Sequence, residues 1–89
     1  MEQKEAKTIR EVDYSGLRIP AVVLYDRPDD FPGCVVGRVV ELFSGLPTDT
    51  FIRYKTIEDA TADMKGKVVC VFPREKTDTK SIVCTFLLG

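Results

Sequence analysis

The 89-residue sequence has no histidine and no tryptophan. Without imidazole, a nucleophilic thiol or hydroxyl lacks its usual base. Three cysteines, Cys34, Cys70 and Cys84, supply too few ligands for a four-coordinate zinc site and do not carry its spacing. No apolar run reaches the roughly 20 residues needed to span a bilayer. The segment Met1-Glu2-Gln3-Lys4-Glu5 lacks the apolar centre of a signal peptide. Charge of one sign is not in excess either: 13 basic against 14 acidic residues leave a net charge of −1. Such a chain has no long-range field to gather nucleic acid or anionic lipid. There is no internal repeat and no low-complexity stretch, and Gly33 and Gly37 do not form a phosphate-binding GxGxxG pattern. A cytoplasmic protein without metal, cofactor or membrane partner is expected.

What is present suits one small domain, 1–89, with residues 1–7 expected as a mobile polar tail. Apolar residues make up 44% and charged residues 30%, which argues against disorder. Thr8–Val12 reads as a short edge strand. Leu17–Tyr25 reads as a strand rich in β-branched residues, with Pro20 marking an edge or a bulge. Asp26–Gly33 is a loop by composition, and Phe31 is its one large apolar side chain, expected to tuck back as an anchor. Cys34–Phe43 and Thr50–Tyr54 are further strands, separated by a turn at Ser44–Asp49. Gly37, inside a strand, marks a bulge or a close approach by a neighbour.

The helix signal is the clearest local one. Thr56 is a good N-cap, with Asp59 three residues on and acidic side chains at the favourable end of the helix dipole. Ile57, Ala60 and Met64 share a face, and Gly66 fits the terminating position. So short a helix must dock on the sheet to persist. Lys67–Phe72 and Ser81–Leu88 are the last two strands, read as a hairpin in which Cys70 opposes Cys84. Cysteine is a common core filler, so packing is preferred there over a disulfide or a shared metal. Cys34, beside Gly33, is expected to be the most exposed thiol. The strand before the helix and the strand after it are spaced to be parallel neighbours joined by a crossover. The expected fold is α+β: a four- to five-stranded mixed, mainly antiparallel sheet with one short helix on one face.

The run Val68-Val69-Cys70-Val71-Phe72 has no polar alternation, so both its faces call for cover. One short helix covers one. The other points to a partner, either a second copy or another protein. A self-association surface of Val69, Val71, Val83 and Thr85 follows from the expected pairing. The runner-up is nucleic-acid binding through Arg53, Tyr54, Lys55, Arg74, Lys76 and Lys80, with Tyr54 stacking on a base while the cations meet phosphates. A third reading is a small enzyme working without imidazole. Asp26, Asp29 and Asp30 are expected to cap turn amides, and Arg38 and Glu41 each to meet an opposite charge.

From Tyr25 onward, the order of turns and caps is distinctive. It runs through Arg27-Pro28-Asp29-Asp30-Phe31-Pro32-Gly33, Val36-Gly37-Arg38-Val39, Pro47-Thr48 and Thr56-Ile57-Glu58-Asp59, and ends in Phe72-Pro73-Arg74 and Ile82-Val83-Cys84-Thr85-Phe86-Leu87. This layout resembles a group of short uncharacterised proteins of bacterial genomes and phage-like elements. Those relatives often carry a Trp near the end of the second strand and in the last strand, where this chain has none. The resemblance implies an architecture and an unassigned role, and carries over no catalytic residue.

Overall fold

The computed structural model describes residues 3–74 and 81–89. Within them lie six strands, one α-helix and one 3₁₀ turn. The strands are β1 (Lys4–Ala6), β2 (Pro20–Asp26), β3 (Val35–Glu41), β4 (Leu46–Tyr54), β5 (Val68–Pro73) and β6 (Ile82–Leu88). The 3₁₀ turn is Ile9–Glu11, and the helix, α1, is Ile57–Met64. The strands form one sheet in the order β1-β4-β3-β2-β6-β5. Only the β1–β4 pair is parallel among those described, so the mixed, mainly antiparallel α+β class stands.

Alternation along the strands divides the sheet into two faces. Val22 and Leu24, Val35 and Val39, Ile52 and Tyr54, and Phe86 and Leu88 make the core face with Ile9, Val12, Ala60 and Met64. The helix begins as its sequence dictates: the Thr56 hydroxyl accepts from the Asp59 amide at 3.1 Å. It ends at Gly66, whose φ of +91° suits glycine. Ala60 and Met64 are completely buried against the sheet, with Ile57 partly so. Full burial of a side chain such as Met64 is worth about 1.5–3 kcal/mol, which is what holds two turns of helix in place. Gly37 is a close-approach site. A Cβ there would lie 2.8 Å from Val22 Cγ1 and 3.5 Å from the Tyr54 ring.

Several expectations change. The sheet has six strands rather than four or five, because Lys4–Ala6, expected in a mobile tail, pairs with Thr50–Ile52 of a longer β4. Thr8–Val12 holds the 3₁₀ turn Ile9–Glu11 instead of a strand, and the Ile9 amide meets Asp63 of the helix. Pro20 opens a central strand. It is tolerated because the pairing of β2 with β6 starts one residue later, at Ala21. β4 and β5 are not neighbours; β3, β2 and β6 lie between them, so the helical connection spans most of the sheet.

The last hairpin exists, but its register differs. Val68 opposes Leu88, and an irregularity at Val69 then shifts the pairing so that Cys70 opposes Leu87 and Phe72 opposes Thr85. Cys84 therefore faces Pro73 across the ladder, and all three cysteines are free thiols. Exposure of the thiols is also reordered: Cys70 is exposed, and Cys34 is half-buried. Most consequentially, β5 is the outermost strand, and Val69 through Pro73 are exposed.

Candidate functional site

The helix packs over β3 and β4, so the core face of the β5–β6 hairpin extends beyond it. The gap is an apolar groove of about 610 Å³ between α1 and β5. Met64, Val68, Val71 and Phe86 line it, together with Glu58 and Lys65. On β5 itself, Val69 is 68% exposed, Val71 49% and Phe72 45%. Val68–Pro73 carries no charge. Sheet edges left to solvent normally carry charges or are cut short. The other edge follows that rule: β1 is three residues long, with Lys4 exposed and Glu5 paired to Arg53 at 2.9 Å. The two edges of one sheet are thus treated differently.

The four residues expected to form one self-association surface are split by the observed register. Val71 faces the groove, opposite Phe86, and Thr85 lies on the other face, opposite Phe72. Val69 sits at the irregularity, exposed. Val83 falls at a second irregularity, between β2 and β6, and packs against the core. β5 and β6 do contribute an apolar surface, but its groove side is Val68, Val71 and Phe86.

The expected nucleic-acid contacts are not gathered. Tyr54 is 8% exposed and on the core face, and its hydroxyl donates to Asp63 Oδ2 at 2.6 Å. Its ring is unavailable for stacking. Arg53 points to the opposite face, where Glu5 holds it and raises its pKa by hydrogen bond and charge. Lys55 is exposed at the end of β4, and Arg74 lies beyond β5, four strand spacings of about 4.8 Å away. Lys76 and Lys80 lie outside the described residues.

Two acidic residues, Asp63 and Glu41, hold parts of the fold together. Asp63 accepts from both the Tyr54 hydroxyl and the Ile9 amide, the latter at 3.0 Å, and so ties the helix to β4 and to the N-terminal arm. Tyr14 completes that cluster by donating to the Ile9 carbonyl at 2.6 Å. Burial, then the Asp63 hydrogen bond and charge, push the Tyr54 hydroxyl far above its usual range. Burial and Asp63 also raise Tyr14. Glu41 meets no opposite charge among the described residues. Its carboxylate accepts three backbone amides, Ile19 at 2.8 Å, Phe43 at 3.1 Å and Ser44 at 2.7 Å. Desolvation raises its pKa, but these amides and the Ser44 hydroxyl outweigh it and hold the group at about 2. The turn so fixed displays a second exposed apolar cluster of Ile19, Leu42, Phe43 and Leu46, with the Arg18 guanidinium 4.7 Å above the Phe43 ring.

On the opposite face, Phe31 packs on Phe51 with ring centres 5.1 Å apart, which fulfils its expected anchoring role. Asp30 from the same loop pairs with Arg38. Two features of the contact between the helix, β4 and the N-terminal arm were not legible in the sequence, Asp63 and the burial of Ile9. Tyr54 carried a usable signal: it lies two residues beyond Ile52, and period-two alternation puts the two on one face.

No protein-family model matches the chain. The sequence is 30% identical over 87 residues to the proteasome component ECM29 of Saccharomyces cerevisiae, a match covering 94% of this chain. The chain spans about 4% of the length of that relative. No solved structure matches.

Proposed function

We propose that the chain is a small non-enzymatic protein-binding module that associates first with itself, using β5 and the groove beside it. One observation carries the reading: an uncharged edge strand with Val69, Val71 and Phe72 exposed borders an apolar groove of about 610 Å³. Apolar surface gains on the order of 25 cal/mol per Å² when buried, so covering this strand is favourable. Contiguous exposed apolar surface of this kind marks interaction sites. The acids most firmly held, Glu41 and Asp63, are occupied by backbone amides and Tyr54, which supports binding over catalysis. The reading includes a cytoplasmic, reducing setting, supported by three free thiols, and kinship with the short bacterial and phage-like proteins, supported by the shared turns and caps.

The test compares the chain with Val71→Lys by light scattering on a sizing column at micromolar concentration. Val71 is half exposed, so the variant is expected to fold and to elute as a single chain of 10.0 kDa, while the unaltered chain runs heavier. Equal single-chain masses for both would refute the reading.

A further inference from the structure

The exposed ridge of α1 that borders the groove reads Glu58, Thr61, Ala62, Lys65, at spacings of three and four along the helix. All four residues are exposed. The ridge has an acid at one end, two small side chains in the middle and a base at the other end. This pattern is complementary to itself when reversed. A two-fold axis through the ridge centre lays two helices antiparallel and brings Glu58 of each copy to Lys65 of the other. Thr61 of each copy then meets Ala62 of the other, and small side chains at a crossing let helices approach closely.

From this we infer that the occupant of the groove is a second copy of the chain, docked antiparallel along α1 about a two-fold axis, with reciprocal Glu58–Lys65 pairs at both ends. The inference rests on the self-association proposed above and deepens it. Two observations favour this placement over pairing of the β5 edges. First, the irregularity at Val69 and the proline at 73 both interrupt the outer ladder of β5, since a bulge twists the edge and proline lacks an N–H. Second, the groove floor of Val68, Val71 and Phe86 lies beside the ridge, so the same approach buries both. A helix of eight residues is about 12 Å long, so the contact belongs to the small interface class and to micromolar affinity.

The charge pattern makes a decisive experiment. In Glu58→Lys, both reciprocal pairs become Lys–Lys contacts, and in Lys65→Glu both become Glu–Glu. Each single reversal is expected to weaken the dimer at least about tenfold. The double variant Glu58→Lys/Lys65→Glu restores opposite charges at both ends and is expected to return to within about threefold of the original. Helix stability alone gives the opposite order, because the double variant opposes the helix dipole at both ends and would be the weakest. Ala62→Arg, at an exposed position, provides a second block to close approach that does not depend on charge reversal. Dissociation constants from sedimentation, with circular dichroism to confirm folding, read all four variants. Restoration by the double variant supports the antiparallel dimer. Association that is indifferent to all four overturns it and leaves self-association intact. A single-chain mass for the unaltered protein at every concentration overturns both.

Discussion

The Tyr54 hydroxyl donates to Asp63 Oδ2 at 2.6 Å, and the same oxygen accepts the Ile9 amide at 3.0 Å. One carboxylate oxygen thus joins β4, α1 and the N-terminal arm. Tyr54→Phe removes one of the two donors without changing shape, and is expected to lower unfolding free energy by about 1–2 kcal/mol. Asp63→Ala leaves both donors without this acceptor and is expected to cost more, about 2–4 kcal/mol. Urea titration of the two single variants and the double will show coupling, because the residues share one contact.

The same contact sets an alkaline limit. Tyr54 and Tyr14 both have pKa values raised above the ordinary 10.0 of the unfolded chain, by burial first and then by Asp63. A group with a raised folded pKa binds more protons folded than unfolded above pH 10. Its stabilisation is complete below pH 10 and declines as pH rises beyond it. Thermal melting between neutral and strongly alkaline pH is expected to show this loss, and Tyr54→Phe is expected to shallow it.

Glu41 sets the acid limit by the opposite sign. Its folded pKa of about 2 lies below the ordinary 4.5. The unfolded chain therefore takes up the proton first as pH falls. The stabilisation is fully present above pH 4.5 and is lost as pH falls toward 2. Glu41→Gln is expected to flatten the acid limb of the melting profile, and to loosen the turn carrying Phe43, as seen in faster amide exchange at Ser44.

Gly37→Ala tests the packing beneath the helix. The added methyl lies 2.8 Å from Val22 Cγ1, within a core face where Val22 is fully buried. Overpacking of this kind costs about 1–3 kcal/mol. Denaturant titration should show that loss, and Val22→Ala in the same chain should recover part of it by making room.

Local signals and long-range arrangement differed in how far the sequence revealed them. Thr56, Asp59 and Gly66 act within one turn of the backbone, so the helix was readable to within a residue or two. Gly37 and Phe31 behave as their oddity in context implied. Strand order is set by contacts between distant segments, and nothing local in Lys4-Glu5-Ala6 announces a strand. Its pairing comes from the neighbouring edge of β4. The apolar run of β5 led to the expectation of cover on both faces, whereas Val69 to Pro73 are exposed. An uninterrupted apolar pattern does not say whether that cover comes from within the chain, and here Val69, Val71 and Phe72 lie at the outer edge. One irregular residue, Val69, displaced the hairpin register and separated Cys70 from Cys84. Arg53, Tyr54 and Lys55 are adjacent in sequence, yet alternation sends Arg53 and Tyr54 to opposite faces.

Thiol reactivity gives an independent view of which face is covered. Cys70 is exposed, and Cys84 is half-buried with its pKa raised by burial. Cys70 is expected to react fastest with a disulfide reagent and Cys84 slowest. Cys70 lies on the face away from the helix, beside Phe72 and opposite Leu87. Its rate is therefore expected to stay constant as the protein is concentrated; a marked slowing would place the contact on the other face of β5.

The central claim is that the apolar surface at β5 and α1 is covered by more protein. Sedimentation equilibrium of the unaltered chain across the micromolar range tests it most directly. The account predicts an average mass that climbs with concentration from 10.0 kDa toward twice that value and levels there. A mass fixed at 10.0 kDa throughout would contradict it.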